Sequence, residues 1–285
     1  MFLQMNKTIL LSISLLAIAV SSVQSQEVIG YVNFRASYLF SYKTSTEQIE
    51  FAGTDLMLLD IGENVSRFYS RMQQRRDSVE TAGIRQGLNP HEVVANMRNY
   101  ARGITTVIYT KNNNFHVTDN FVIDLLYTES CMRPVWRIGT ETKEIAGFVA
   151  QRATAHYLGR NWIVYFTPEI PINSGPWKLW GLPGLILEAV DEDNLFSFQL
   201  NGFEVIHRDI PIVFTTISET GRNFQRVEKE SYRRMQRLFY ADRVEFMRQF
   251  VMGPEGTITQ TPEQAENMRR HVAAGGVPFI PLEPW

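Results

Sequence analysis

The stretch Trp180-Gly181-Leu182-Pro183-Gly184-Leu185-Ile186-Leu187-Glu188 decides the fold class. Leu182-Pro183-Gly184 has the chemistry of a tight turn, since proline presets φ and glycine tolerates positive φ. A strand follows at once, with Leu185 and Leu187 on one face and Ile186 and Glu188 on the other. Gly181 leaves room for a neighbouring chain to come close. Downstream, Asp191-Glu192-Asp193-Asn194 reads as a hairpin tip. Phe196, Phe198 and Leu200 then alternate with Ser197, Gln199 and Asn201, the pattern of a sheet with one wet face.

Upstream the same logic repeats. Gly147 to Tyr157 and Asn161 to Phe166 form a hairpin about Leu158-Gly159-Arg160. Between the two hairpins, Thr167 to Gly181 contains Pro168, Pro171, Gly175 and Pro176, so it is neither a regular helix nor a central strand. It is nonetheless apolar, with Ile170, Ile172, Trp177, Leu179 and Trp180. Such a loop packs on the sheet or faces a ligand.

Further out, Val28 to Phe40, Gln48 to Asp60, Thr105 to Tyr109, Phe121 to Tyr127 and Val135 to Ile138 read as strands, with a turn at Lys111 to Asn114. Val65, Phe68, Tyr69, Met72 and Val79 follow helical spacing, with Asn64 as a candidate cap. Pro90 opens a second helix ending near Gly103. Arg222 to about Phe250 and Pro262 to Ala274 are helical, and the tail from Pro278 is extended. Strands in hairpin order with grouped helices exclude a doubly wound α/β fold. They predict an α+β fold: a curved, half-barrel-like antiparallel β-sheet with helices packed on one side.

The first residues have the pattern of an export signal. Lys7 precedes an apolar run from Thr8 to Val20, and Val23-Gln24-Ser25 presents small residues for cleavage before Gln26. Residues 1–25 are therefore expected to be a signal peptide, and 26–285 a single domain without a transmembrane anchor after cleavage. The implied location is the periplasm or cell envelope, or the medium. With 28 basic against 30 acidic residues, the chain lacks the basic excess that nucleic acid binding requires. Its one cysteine, Cys131, has no partner for an internal disulfide and reads as a half-buried small apolar residue.

The turn string resembles the signature of the GLPGLI family of exported Bacteroidota proteins, carried here by Gly181, Leu182, Pro183, Gly184, Leu185 and Ile186. Ile170-Pro171-Ile172, Gly175-Pro176 and Glu188 keep the family register. Gly147-Phe148, Ala153-Thr154, Gly159-Arg160 and Tyr165-Phe166-Thr167 are similar to its preceding hairpin, and Ser66, Phe68-Tyr69, Tyr127, Glu129 and Trp136 also match. The sequence departs from the family at Ala150, where relatives commonly carry cysteine, and at Phe148, where tyrosine is usual. A thiol role in relatives therefore does not carry over. The resemblance implies a compartment rather than an activity. The expected curved sheet also looks like periplasmic lipoprotein-carrier half-barrels, a likeness that transfers no function.

Catalytic and metal signatures are sparse. His91-Glu92 begins a zincin motif, but Ala95 stands where its second histidine belongs. His116, His156, His207 and His271 are far apart, so no metal or cofactor is expected. Asp191 to Asn194 is too short for a calcium loop. Arg233, Arg234 and Arg237 form a basic stripe with helix-face pairs such as Glu230–Arg234. Besides a scaffold protein of an outer-membrane assembly, two readings of function remain. One is a non-catalytic carrier or accessory protein holding an apolar ligand or an envelope partner, with Trp162, Tyr165, Trp177 and Trp180 as binding residues beside Leu182, Pro183 and Leu185. The other is a hydrolase using Glu129, Glu169, Glu188 and His156, which requires at least two of them to meet in one cleft.

Overall fold

The computed structural model of the chain describes residues 26–120, 122–218, 223–252, 262–273, 276 and 278–284. The expected export segment, residues 1–25, and Phe121 lie outside the described residues. The chain opens with β1 (Gln26–Tyr31) and β2 (Phe34–Tyr42). Sequence predicts one strand here, but the chain changes sheets between them. Val32 N–H donates to the Ile210 carbonyl at 2.9 Å, and Asn33 N–H donates to that of Ile61 at 2.8 Å.

Then come β3 (Gly53–Ile61) and β4 (Ser66–Ser70), which replaces the predicted start of a helix. Phe68 and Tyr69 pair with Leu59 and Leu58 and point to opposite faces, so sheet packing overrides their helical spacing. Ser70, not Asn64, caps α1 (Arg71–Arg85), accepting from Gln73 N–H. In α2 (Pro90–Met97) the predicted proline start holds, and Asn89 and Glu92 form a reciprocal capping box.

Next are β5 (Val107–Lys111), β6 (Asn114–Asn120), β7 (Asp124–Ser130) and β8 (Arg137–Ile145). The predicted hairpins appear as β9 (Phe148–Tyr157) with β10 (Arg160–Thr167), and β11 (Leu185–Asp191) with β12 (Phe196–Val205). The chain continues through β13 (Pro211–Thr215) and β14 (Gln225–Arg226) into α3 (Lys229–Ala241) and α4 (Arg243–Met247). Asp242 ends α3 in extended conformation and caps α4, so the predicted long helix is broken there. A π-helical turn (Arg248–Met252) and α5 (Pro262–Ala273) follow.

The main sheet has twelve strands in the order β14-β7-β6-β5-β4-β3-β2-β12-β11-β10-β9-β8. All its pairings are antiparallel except β14–β7. The sheet is open, with β14 and β8 as its edges. Register shifts at Tyr165/Phe166, Leu200/Gly202 and Ile138/Thr142 break the ladder and help curve it into a half-barrel. One face carries the core. Phe40 stacks on its cross-strand partner Phe198 at 4.5 Å, and Leu59, Phe68, Ile108 and Val117 continue the apolar stripe. Tyr232, Met235 and Phe246 of α3 and α4 close onto that face. On the other face, β1 and β13 form a two-stranded sheet around Val32, Tyr109 and Ile212. Among the described residues, no helix is long and apolar enough to cross a membrane.

Candidate functional site

The proline-rich segment is held on the sheet by its backbone. Leu185 N–H donates to the Ile170 carbonyl at 3.0 Å, Ile186 N–H to Ser174 at 3.0 Å and Gly181 N–H to Asn173 at 3.0 Å. Beyond the three-residue ladder with β12, the Ile186 carbonyl accepts the buried Tyr38 hydroxyl at 2.8 Å. Gly181 takes a φ of +92°, and a Cβ there would lie 2.7 Å from the Arg133 side chain. Arg133 donates to the Gly181 carbonyl, and Trp136 Nε1 donates to that of Trp180 at 2.8 Å. These contacts explain why the turn needs its glycines.

Trp177 is buried and takes a φ of +56°, a conformation that costs an ordinary residue ~1–2 kcal/mol. Burying its indole gains more, a few kcal/mol. Its ring lies 5.5 Å from that of Trp162 and 6.4 Å from Tyr157. Its strained backbone turns the ring toward a cavity of about 710 Å³ between the apolar sheet face, α3 and the tail. The floor comes from Phe40, Met57, Phe68, Val117 and Phe198; Tyr232, Phe239 and Tyr240 of α3 form the roof. The tail from Pro278 to Glu283 completes that roof, with Phe279 stacked 3.7 Å from Tyr240.

The tail is fastened at two points. Arg160 donates to the carbonyls of Leu282 at 2.8 Å and Pro281 at 2.7 Å, and pairs with buried Asp191 at 3.0 Å. Asp191 also accepts the N–H groups of Leu195 and Phe196. The acidic hairpin tip read from the sequence therefore begins with a buried, fully engaged carboxylate. The second fastening is an ion cluster. Lys178, buried in the tryptophan loop, pairs with Glu129 of β7 and Glu283 of the tail. Lys229 joins both carboxylates, and Arg233 reaches Glu283 at 3.1 Å. Burial alone would raise the Glu283 pKa, but Lys178 and Lys229 outweigh it and hold the carboxyl below its usual range. The sequence signal was a lysine set between Trp177 and Leu179 in a loop otherwise short of charge.

Comparison with known proteins picks out this same region. Residues 158–188 match a family described as a protein of unknown function, Porph_ging. The matched segment runs from the β9–β10 turn through the tryptophan loop to Glu188, and includes both Arg160 and Lys178. No curated protein matches the chain. The solved structures similar to it include two of PNGF-II, in the P21 and C2 space groups. Each is 12% identical and covers 70% of this chain, with TM-scores of 0.47 and 0.46. The chain spans 32% of the length of those proteins.

The predicted binding residues are distributed around the cavity rather than all within it. Trp177 lines it, and Trp162 stands behind Trp177, 1% exposed. Leu182 and Leu185 are fully buried under the loop, Trp180 is half-buried and Pro183 is exposed. Tyr165 is on the other side of β10, donating to Glu141 at 2.5 Å with Lys143 over its ring. The candidate catalytic groups have separate partners. Glu129 sits in the ion cluster, Glu169 accepts from Val149 N–H, Glu188 pairs with Lys143, and His156 bonds to Asn161. None of the four lines the cavity. Cys131 is partly buried, and its thiol is pushed up to about 12 by burial, then by Glu129.

Proposed function

We propose that this protein is an exported, non-catalytic binding protein of the cell envelope that shelters an apolar ligand between its sheet and its roof. The observation that carries this reading is the cavity of about 710 Å³, floored by aromatic and aliphatic side chains. That volume falls within the ~300–1,000 Å³ typical of small-molecule sites. The strained backbone at Trp177 supports it, because strain of this kind concentrates where a side chain must be presented. The part of the roof made by the tail is a strap rather than a domain, so a guest can enter by displacing it. The carboxylates and His156 of the hydrolase reading are each tied to a separate partner and none of them lines the cavity, which favours binding over chemistry.

We also assign the chain to the GLPGLI family. Support comes from the Gly181–Ile186 string, its flanking register and the glycine geometry that makes the string necessary. Export follows from the pattern of residues 1–25. N-terminal sequencing of protein from the periplasmic fraction should begin at Gln26; an intact Met1 on membrane-bound material would contradict export with cleavage. The binding reading is tested by native mass spectrometry and organic extraction of the mature protein purified from its own envelope. The expected result is a copurifying apolar molecule in about one-to-one ratio. An empty protein that also fails to take up added acyl chains would overturn it.

A further inference from the structure

We infer that the ligand is an anionic amphiphile: one long acyl chain ending in a carboxylate or phosphate, bound as a single molecule. This rests on the proposed binding function and adds the sign of the head group.

The chain as a whole is close to neutral, with 28 basic and 30 acidic residues. Its cavity is not. Seven lysine and arginine residues line it, against two carboxylates, Asp119 and Glu283. Three of the cations, Lys178, Lys229 and Arg233, are held by Glu129 and Glu283 in the cluster under the tail. The other four, Lys43, Arg76, Arg102 and Arg243, have no carboxylate partner among the described residues. Topology gathers these four at one end of the sheet. Lys43 follows β2, Arg76 is in the second turn of α1, Arg102 precedes β5, and Arg243 follows the far end of α3.

Two acids at that end, Asp119 and Asp55, are engaged by neutral donors, and the four cations outnumber them. Asp119 accepts from the hydroxyls of Thr105 at 2.6 Å, Thr106 at 3.0 Å and Tyr232 at 2.6 Å. Asp55 accepts from Ser70 Oγ at 2.9 Å and from Ile104 N–H at 2.6 Å. Arg76 spends hydrogen bonds on the carbonyls of Met97 and Tyr100 but keeps its charge. Lys43 is 7% exposed, and its ammonium lies 5.6 Å from the Phe51 ring, its one cation–π partner among the described residues. A cationic mouth over an apolar, low-dielectric floor focuses positive potential, which draws an anionic head and places its chain inside. A cationic amphiphile would meet repulsion at the same end.

The test titrates three amphiphiles with the same dodecyl chain below their micellar concentrations, read by tryptophan fluorescence. These are dodecanoate, dodecanol and dodecyltrimethylammonium. Dodecanoate should bind about tenfold or more tighter than the alcohol, equivalent to about 1.4 kcal/mol, and the cation weakest. Added salt should weaken dodecanoate alone. In the double variant K43Q/R102Q, checked for native circular dichroism, dodecanoate affinity should fall to that of dodecanol while dodecanol is unchanged. Equal binding of dodecanoate and dodecanol to the wild-type protein would overturn the charge inference and leave the cavity reading standing. Failure of all three to bind would remove both.

Discussion

A Cβ on Gly184 would come within 2.0 Å of the Thr167 carbonyl oxygen, and nothing in that contact can rotate away. Gly184→Ala should therefore destabilise the protein by about 3 kcal/mol or more, as severe overpacking does. Denaturant unfolding measures this directly; a loss under about 0.5 kcal/mol would show that the turn is looser than described. The cysteine makes a milder prediction at the same scale. With its thiol pushed up to about 12, Cys131 holds almost no thiolate near neutrality. Alkylation at pH 8 should run far slower in the folded protein than in denatured protein, and equal rates would contradict the environment described for it. The turn's glycines are also where sequence reading worked best, because a steric requirement at one position is written in one residue. Trp177 was harder. A tryptophan in a proline-rich loop signals apolar cover, but only the fold reveals that its backbone is left-handed and its ring at the cavity wall.

At the scale of elements, the tail strap is the feature with most consequence. Arg160 and Asp191 form a buried pair, with side chains 6% and 1% exposed. Removing one partner of such a pair leaves the other charge uncompensated and costs about 3–5 kcal/mol. Arg160→Gln should fall in that range and should also free the tail, whose Pro281 and Leu282 carbonyls it holds. The Glu283 fastening adds a pH dependence. Its folded-state pKa lies below the unfolded value of about 4.3. Its contribution is therefore complete above that value and is lost as pH falls through the lower folded one. The Phe279 ring resonances, shifted by the stacked Tyr240 ring, should stay constant from pH 7 to about 5 and lose that shift in stronger acid. A shift that declines instead between pH 7 and 5 would assign the fastening to another group. Hairpins β9–β10 and β11–β12 were legible because alternation and turn residues are local. The strand β4 was not, since Phe68 and Tyr69 satisfy helical spacing equally well until Leu58 and Leu59 are beside them. The partners of Lys178 were invisible for the same reason. Glu129 and Glu283 lie 49 and 105 residues away.

For the molecule as a whole, a half-barrel with one apolar face needs cover. Here the cover comes from three sources distant in sequence: the tryptophan loop, α3 and the C-terminal strap. The α+β class and the one-sided helices could be read from the order of hairpins and helices. The cavity could not, because its volume is the gap between those covers and its charge is collected from segments far apart in sequence. The most direct measurement of the account is quenching of tryptophan fluorescence by dodecanoate brominated near its chain end. The account predicts saturable, one-to-one quenching that largely disappears in Trp177→Phe while binding itself persists. Quenching that rises linearly without saturation, or that is unchanged in Trp177→Phe, would contradict a chain lodged against that wall.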